Sequence, residues 1–303
     1  MRTLVTGCNG QLGTAVRELV ERERAARPQP LAAKSFDFCD IDTFDMGDPG
    51  AYGQYDWGLY DTVINCGAFT AVDAAEPPEG RVSCWRANAA GPALLSRTCS
   101  EHGITLVHVS SDYVFDGTAE EHDEDEPLSP LSVYGQSKAA GDLAVGCCPR
   151  FYVLRSSWVV GRGKNFVKTM KALSDRCANP VDGLERVTVV SDQRGRLTFT
   201  DQMAQAVFHL LDGQAPYGTY NMTGSGNVRS WADIARATFD AANGNGDAVV
   251  PVTTEEYYRN AAGPVAPRPH NSALSLDKLA STGFVPRDWE EELAEYLEEL
   301  VSA

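Results

Sequence analysis

Three side chains near the middle of the sequence could together reduce a carbonyl group. Tyr134 and Lys138 are four residues apart, so they share one face of any helix that contains them. Because an ammonium group stabilises a nearby phenolate, we expect the pKa of Tyr134 to be lowered. Ser111 follows an apolar run over residues 104–109 that predicts a buried strand, and open α/β sheets bind ligands at the carboxyl ends of such strands. These groups would protonate a carbonyl oxygen as hydride reaches the carbon, although a chance pair on a solvated helix has the same spacing.

A glycine-rich turn at the start of the sequence predicts a dinucleotide site. A β-type run over residues 3–5 ends at Gly7, glycine recurs at Gly10 and Gly13, and apolar residues of helical spacing begin with Leu12. Gly7 would allow the tight turn, Gly10 the close approach of backbone to pyrophosphate, and Gly13 the packing of helix on sheet. A plain glycine-rich turn between strand and helix is the alternative. The predicted cofactor contacts here are Gly7, Asn9, Gly10, Gln11, Leu12 and Gly13.

Residues after the next two predicted strands would bind the rest of the cofactor. Asp40 ends a short run over 36–40 and lies about where a Rossmann unit places the acid that binds the adenosine ribose hydroxyls. Ile41 lies where a site for NADPH would benefit from arginine, and no Lys or Arg occurs between residues 35 and 80, which favours NADH. We expect Asp45 and Met46 to reach the adenine. The small residues after the strand over 61–65 would let the cofactor pass, and the predicted contacts there are Cys66, Gly67, Ala68 and Thr70.

Charge and cysteine content restrict the possible partners. The 303 residues include 42 acidic and 26 basic side chains, a formal net charge of −16, and such a surface repels nucleic acid and anionic membranes. No apolar run approaches the roughly 20 residues of a membrane span, and no signal peptide is indicated. The eight cysteines lie mostly inside apolar runs without zinc-like spacing, which favours reduced thiols in the cytoplasm over disulfides.

The order of the predicted elements indicates an α/β protein. Six β-runs alternate with helices, the run over 151–155 being counted as the sixth, and they predict a doubly wound parallel sheet with the NAD(P)-binding Rossmann fold. We expect a dinucleotide-binding domain over 1–160, to which 197–222 return as a helix and a short strand. A smaller, mostly helical substrate domain would cover 161–303. The acidic segment over 120–127 is interpreted as solvated surface.

With these motifs in place, the sequence resembles the extended short-chain dehydrogenase/reductases and, more narrowly, the dTDP-4-dehydrorhamnose reductase family. The matching stretches are the glycine turn and residues 65–76 (NCGAFTAVDAAE), 110–117 (SSDYVFDG), 132–138 (SVYGQSK), 155–159 (RSSWV) and 268–272 (RPHNS). They extend over nearly the whole chain. The glycine and Tyr-x-x-x-Lys motifs occur throughout the superfamily. The stretches SDYVFDG (residues 111–117) and RP-x-NS (residues 268–272) narrow the resemblance to this family.

The resemblance implies a reaction and a set of contacts. It implies reduction of the C4 ketone of dTDP-4-dehydro-β-L-rhamnose to dTDP-L-rhamnose by NADH or NADPH. Tyr134 would be the acid, Lys138 would bind the nicotinamide ribose, and Ser111 replaces the family's more frequent threonine. Ala15 occupies the position of a glutamate that binds magnesium in some members, so no metal is expected. The residues expected at the sugar nucleotide are Ser111, Asp112, Trp158, Asn165 and Arg268.

The sequence leaves other functions open. A nucleotide-sugar epimerase or 4,6-dehydratase shares the scaffold, but the dehydratases place Asp-Glu where this chain has Asp112 and Tyr113. A reductase of another dTDP-4-keto-deoxysugar would also resemble this chain, as would a non-catalytic module like the regulatory subunit of methionine adenosyltransferase. The expected partners are a dTDP-sugar and either a second copy of the chain in a homodimer or the preceding epimerase.

Overall fold

A parallel β-sheet forms the centre of the protein, whose computed structural model describes residues 2–26, 35–181 and 183–302. The strands in chain order are β1 (Arg2–Thr6), β2 (Ser35–Phe38), β3 (Thr62–Asn65), β4 (Thr105–Ser111), β5 (Phe151–Ser156), β6 (Val159–Val160), β7 (Val187–Val190), β8 (Arg194–Gly195), β9 (Thr198–Phe199), β10 (Gly218–Asn221), β11 (Arg229–Ser230) and β12 (Val249–Val252). Within the described residues, six strands form the sheet in the order β10-β5-β4-β3-β1-β2, and every neighbouring pair is parallel.

The described residues also form ten α-helices, some of which cover the faces of the sheet while others belong to a second region. They are α1 (Gln11–Ala26), α2 (Pro78–Trp85), α3 (Gly91–His102), α4 (Val133–Val145), α5 (Phe166–Ala178), α6 (Thr200–Asp212), α7 (Trp231–Asn243), α8 (Thr254–Tyr258), α9 (Asp277–Ser281) and α10 (Trp289–Ser302). A π-helical turn over Arg86–Ala90 joins α2 to α3.

Alternation along the strands divides the core between the two faces of the sheet. Successive strand residues point to opposite faces, so Val63 and Ile64 belong to different apolar clusters although both are fully buried. On one face Ile64 packs with residues of α1 and α6, and on the other Val63 packs with Leu95 of α3. Strands that are buried on both faces are typical of a parallel sheet with helices on each side.

A second region with its own apolar clusters follows the fifth strand. Ile234 of α7 packs with Trp289 and Leu293 of α10 in one cluster. Phe239, also on α7, packs with Met170 of α5 in another. The chain returns to the sheet in between, because α6 packs on the α1 face and β10 pairs with β5.

The predicted doubly wound α/β fold is confirmed, with two local corrections. The run over 151–155 is the fifth strand of the sheet in chain order, and the sixth is β10, where the sequence predicts a short strand. The acidic segment over 120–127 is not wholly solvated: His122 is fully buried, and Glu124 Oε1 accepts a hydrogen bond of 2.8 Å from the main-chain N–H of Asn221. The division of the chain near residue 160 stays a prediction.

Candidate active site

A cavity of about 700 Å³ lies along the carboxyl ends of the central strands. This volume is within the range of about 300–1,000 Å³ that is typical of ligand sites. The predicted site residues that line it are Gly7, Gly10, Gln11, Leu12, Asp40, Ile41, Asp45, Met46, Cys66, Gly67, Ala68, Thr70, Ser111, Asp112, Tyr134, Lys138 and Trp158. The cavity therefore extends from the glycine turn to the Ser111–Tyr134–Lys138 set.

Ser111 lies at the point where β4 ends and the chain turns. Its hydroxyl accepts a hydrogen bond of 3.2 Å from the N–H of Tyr113 and thereby caps the 3-10 turn Asp112–Val114. The same hydroxyl donates to Asp112 Oδ1 at 3.0 Å, and it is close enough to the phenol of Tyr134 to affect the pKa of that phenol. The end of the strand and the helix that contains Tyr134 thus meet at two hydroxyl groups.

Helix α4 presents Tyr134 and Lys138 to the cavity, as their spacing predicts. Ser132 caps the helix by accepting a hydrogen bond of 3.1 Å from the N–H of Gly135. A Cβ on Gly135 would lie 2.2 Å from the carbonyl oxygen of Tyr113, so only glycine lets α4 pack this closely on the turn after Ser111. That close packing brings Tyr134 beside Ser111.

The expected lowering of the Tyr134 pKa is wrong. Burial raises the pKa of the Tyr134 phenol, and its hydrogen bond with Ser111 opposes that rise. The ammonium of Lys138 donates a hydrogen bond of 2.6 Å to the carbonyl oxygen of Val109. Tyr134 is therefore a neutral proton donor at neutral pH.

Lys138 is a buried amine close to the buried ion pair of Asp142 and Arg155. Only 2% of the residue is exposed, and burial lowers the pKa of the ammonium to about 8, while the charge of Asp142 opposes that shift. Asp142 Oδ2 lies 3.0 Å from Nε of Arg155, which connects α4 to β5. An ammonium with a pKa near 8 still donates hydrogen bonds at neutral pH.

Asp112 is a second buried ionisable group next to Ser111. It is 3% exposed, and burial raises the pKa of its carboxyl to about 6, although hydrogen bonds with Ser272 and Ser111 act in the opposite direction. Buried carboxyl groups with raised pKa values occur often at functional sites. Asp112 lines the cavity, and its contact with a substrate stays a prediction.

The glycine turn forms a cradle of backbone at the other end of the cavity. Gly7 has a φ of +64°, which L side chains rarely adopt, and a Cβ there would lie 2.5 Å from Cα of Gly67. A Cβ on Gly13 would lie 2.3 Å from the carbonyl oxygen of Gly7, so the first turn of α1 packs directly on the loop. A Cβ on Gly10 would have only the carbonyl oxygen of Gly7 near it, at 3.3 Å. The open backbone at Gly10 and the N-terminus of α1 fit the pyrophosphate of a dinucleotide.

Asp40 closes the cradle on its outer side. Its Oδ2 accepts a hydrogen bond of 2.8 Å from the N–H of Asn9, and its Oδ1 accepts one of 2.8 Å from the N–H of Ile41. Asn9 itself does not line the cavity, and its main chain positions Asp40 instead. The side chain of Ile41 is 74% exposed at this end, where an adenosine could cover it.

The π-helical turn supplies two side chains that the sequence alone did not single out. Asn88 donates to the carbonyl oxygen of Phe69 at 3.0 Å and accepts from its N–H at 2.9 Å. The same amide donates to Ser137 Oγ at 3.1 Å, so Asn88 ties the loop at Thr70 to α4. Arg86 Nη2 lies 2.6 Å from Asp45 Oδ2 and fixes the loop that contains Met46.

Two stacked tryptophans form the wall of the cavity beyond Ser111. The rings of Trp158 and Trp231 have centroids 3.7 Å apart, and both residues line the cavity. Trp158 has a φ of +48°, an unfavourable conformation for a bulky residue, and such strain clusters at functional sites. The sequence indicates Trp158 through its motif, but Trp231 has no motif of its own and is recognised only by its contact with Trp158.

Asn165 and Arg268, both expected at the substrate, are not among the residues that line the cavity. The amide of Asn165 caps α5 by accepting from the N–H of Lys168 at 3.0 Å, and it donates to the hydroxyl of Tyr296 at 2.8 Å. Arg268 Nη2 lies 2.7 Å from Asp73 Oδ2, and its guanidinium is 5.1 Å from the ring centroid of Tyr258. Contact of either side chain with a substrate stays a prediction.

Among the described residues, no group of three or more His, Cys, Asp or Glu side chains is placed to hold a metal ion. None of the helices in that part of the chain has the length and apolar character needed to cross a bilayer.

Comparisons with known proteins give relatives for this arrangement. The model of one family, described as the RmlD substrate binding domain, matches residues 1–302. A probable dTDP-4,6-dihydroxy-2-methyloxan-3-one 4-ketoreductase of Streptomyces antibioticus is 36% identical over 100% of this chain and 97% of its own length. A dTDP-4-dehydrorhamnose reductase of Mycolicibacterium smegmatis is 33% identical over 100% of this chain and 86% of its own. A crystal structure of a dTDP-4-dehydrorhamnose reductase from Bacillus anthracis in complex with NADP has a TM-score of 0.83 at 31% identity, covering 98% of this chain and 99% of that one.

Proposed function

This chain belongs to the family described as the RmlD substrate binding domain, and from that premise we propose that it is an NAD(P)H-dependent dTDP-4-dehydrorhamnose reductase. It would reduce the C4 ketone of dTDP-4-dehydro-β-L-rhamnose and form dTDP-L-rhamnose. The observation that carries the proposal is that Ser111, Tyr134 and Lys138 line the same cavity as the glycine turn.

The proposed roles follow from the contacts of each side chain. Ser111 and Tyr134, which line the cavity together, would both bind the C4 oxygen of the ketone. Because burial raises the pKa of Tyr134, the phenol keeps its proton until negative charge develops on that oxygen, and then donates it. Donors that are aimed in advance at a developing charge contribute about 10²–10³ in rate. A bound reduced nicotinamide would supply the hydride.

We propose that the residues around the glycine turn hold this cofactor. The backbone cradle at Gly10 fits a pyrophosphate, Asp40 would bind the adenosine ribose, and Lys138 would bind the nicotinamide ribose. NADH is the favoured donor, because Asp40 suits free ribose hydroxyls and residues 35–80 contain no cation.

The proposal extends to the organisation of the protein. Residues 1–160 with 197–222 would bind the cofactor, and the rest of 161–303 would bind the substrate. The separate apolar clusters around Ile234 and Phe239 support this division. Association with a second copy or with the preceding epimerase, and a cytoplasmic location, are further expectations from the sequence.

A reductase of a different dTDP-4-keto-deoxysugar is the second candidate. The observation that favours it is the 36% identity to the Streptomyces antibioticus ketoreductase. A 4,6-dehydratase is disfavoured, because Tyr113 occupies the position of the second carboxylate and packs edge-on against Tyr134 with ring centroids 5.4 Å apart. A non-catalytic module is disfavoured because the hydroxyl, phenol and amine are all present in the cavity.

The decisive experiment follows the nicotinamide absorbance of NADH with enzymatically generated dTDP-4-dehydrorhamnose, and in parallel with a second dTDP-4-keto-deoxysugar. We expect one NADH to be consumed for each dTDP-L-rhamnose formed. Turnover of only the second sugar would favour the other reductase, and conversion of a sugar to a non-reduced product without NADH consumption would favour an epimerase or dehydratase. Stoichiometric binding of a partner enzyme without any reduction would favour the non-catalytic module.

A further inference from the structure

We propose that Trp231 is a positioning residue for the sugar of the substrate: it stacks on Trp158 and holds that indole at the reacting end of the cavity. This role rests on the proposed function, because it assumes that a dTDP-sugar enters the cavity with its ketone beside Ser111. It goes beyond that function by giving a task to a residue that no sequence motif indicates.

Trp158 follows the strand that lies next to Ser111. Ser156, the last residue of β5, pairs in register with Ser111, the last residue of β4, and both line the cavity. Trp158 comes two residues later and lines the same cavity. A ketone whose oxygen binds Ser111 and Tyr134 therefore brings its sugar ring to this end of the cavity. An indole is a large, flat apolar surface, which suits the C–H face of a pyranose ring.

The conformation of Trp158 needs support from its surroundings. Its φ of +48° lies in the left-handed region, which is costly for a bulky residue and persists only where neighbouring structure fixes it. The N–H of Thr198 donates a hydrogen bond of 3.2 Å to the carbonyl oxygen of Trp158, which holds the main chain. The side chain is held by Trp231, since the two ring centroids are 3.7 Å apart and the planes differ by 19°. Without Trp231, one face of the Trp158 indole loses its partner.

The position of Trp231 is set by a short pair of strands and by a helix cap. β8 pairs with β11, whose last residue, Ser230, comes directly before Trp231. Ser230 caps α7, because its hydroxyl accepts a hydrogen bond of 3.2 Å from the N–H of Asp233, and Asp233 Oδ2 accepts one of 3.0 Å from the N–H of Ser230. The ring of Phe166 lies 4.4 Å from that of Trp231. These contacts fix Trp231 independently of Trp158.

Gly195 of β8 lies against the indole of Trp158. A Cβ on Gly195 would be 3.0 Å from Cε2 of Trp158, which is shorter than an ordinary van der Waals contact. The indole is therefore enclosed by the strand β8 as well as by Trp231, and it has little room to move. Gly195→Ala would displace the indole while leaving Trp231 unchanged.

A purely structural role for Trp231 makes a different prediction. Trp231 packs against both apolar clusters of the second region, those around Ile234 and Phe239, so its loss costs stability in either case. If packing were its only task, a substitution that keeps the apolar contacts would not change the binding of a sugar. The two roles are separated by comparing ligands with and without the sugar.

The test measures the Kd of dTDP-L-rhamnose and of dTDP by calorimetric titration with saturating NADH, with which the product does not react. Leucine keeps apolar contacts and removes the ring. Trp231→Leu should therefore weaken binding of dTDP-L-rhamnose about tenfold and binding of dTDP less than about twofold. Trp231→Phe, which keeps an aromatic ring, should restore most of the affinity. In Trp231→Leu the KM for the ketone should rise by a similar factor, with kcat changed less than about threefold.

A spectroscopic signature reports the stack without any ligand. Two indoles stacked at 3.7 Å couple their electronic transitions, so the far-UV circular dichroism of wild type minus that of Trp231→Leu should contain an exciton couplet. Trp85→Leu is the matched control, because Trp85 is 40% exposed and does not line the cavity. It should retain the couplet and both affinities.

Gly195→Ala is the second variant, and it decides the question even if Trp231→Leu does not fold. It should weaken dTDP-L-rhamnose binding about threefold or more and leave dTDP binding unchanged. The role of Trp231 is overturned if Trp231→Leu, or in its place Gly195→Ala, binds dTDP-L-rhamnose as wild type does, or loses affinity for dTDP equally. Failure of the proposed function gives a different result, because wild type would then neither bind dTDP-L-rhamnose nor reduce the ketone.

Discussion

The ammonium group of Lys138 donates a hydrogen bond of 2.6 Å to the main-chain carbonyl oxygen of Val109, on the strand that ends at Ser111. This bond fixes the amine beside the cavity but does not replace the water that it loses on folding. Burial consequently lowers the pKa of the ammonium to about 8. The position of Lys138 suits the binding of a ribose and is unfavourable for the stability of the fold.

Replacing Lys138 with methionine should stabilise the fold and abolish function. The folded-state pKa of about 8 lies below the ordinary value of 10.5, so the destabilising effect is complete below pH 8 and disappears as pH rises toward 10.5. Lys138→Met should therefore raise the free energy of unfolding at neutral pH by about 1–3 kcal/mol. Urea denaturation at neutral pH and near the upper end of that window measures the effect. A variant less stable than wild type at both pH values would contradict this account.

Replacing Tyr134 with phenylalanine tests the proton donor. Burial raises the pKa of the phenol, so its proton is present at neutral pH and is lost in the variant. Tyr134→Phe should reduce kcat by about 10²–10³ and change the Kd of NADH by less than about threefold. Steady-state kinetics and cofactor titration measure the two quantities. Tyr217→Phe, which alters a tyrosine that is 49% exposed, is the control, and wild-type turnover in Tyr134→Phe would rule out Tyr134 as the acid.

Asp112 should make stability fall as pH rises through the acidic range. Burial raises the pKa of its carboxyl from 3.8 to about 6, so the folded state binds more protons than the unfolded state between these values. Asp112→Asn should remove this effect, and the variant should gain about 2–3 kcal/mol over wild type between pH 4 and neutral pH. Unfolding curves across that range measure the gain. Asp116→Asn should show the opposite sign, because hydrogen bonds from Thr118 lower the pKa of Asp116; equal slopes for both variants would contradict the assignment.

Local signals explain how much of the fold could be predicted from the sequence. The strand that ends at Ser111, the glycine turn from Gly7 to Gly13 and the helix with Tyr134 and Lys138 depend on neighbours only a few residues apart. The acidic segment misled the prediction, because a run of like charges usually faces water. Here Glu124 turns inward, where its carboxylate accepts a hydrogen bond from Asn221, nearly a hundred residues away.

The electrostatics of the site could not be read from spacing. The four-residue interval correctly predicted that Tyr134 and Lys138 share one face of a helix. The interval does not indicate how deeply the two side chains are buried, and burial is what raises the pKa of the phenol. Distant partners were equally hidden. Trp231, for example, stacks on Trp158, although more than seventy residues separate the two in the sequence.

Arg268 should contribute to substrate binding and not to the chemical step. Its guanidinium is held by Asp73 at 2.7 Å and donates to the carbonyl oxygen of Ala266 at 2.8 Å, so it would have to leave Asp73 to bind a diphosphate. If it does, Arg268→Met should raise the KM for the dTDP-sugar by about 10- to 100-fold, the value of a charge-assisted hydrogen bond, with kcat nearly unchanged.

Initial rates at varied sugar concentration measure this effect, and Asp73→Asn supplies the complementary variant. Because Asp73→Asn weakens the competing ion pair, it should lower the KM or leave it unchanged. Arg229→Met is the control, since Arg229 pairs with Glu290 at the surface at 3.1 Å and does not line the cavity. An unchanged KM in Arg268→Met, with the same free energy of unfolding as wild type, would show that Arg268 serves only its pair with Asp73.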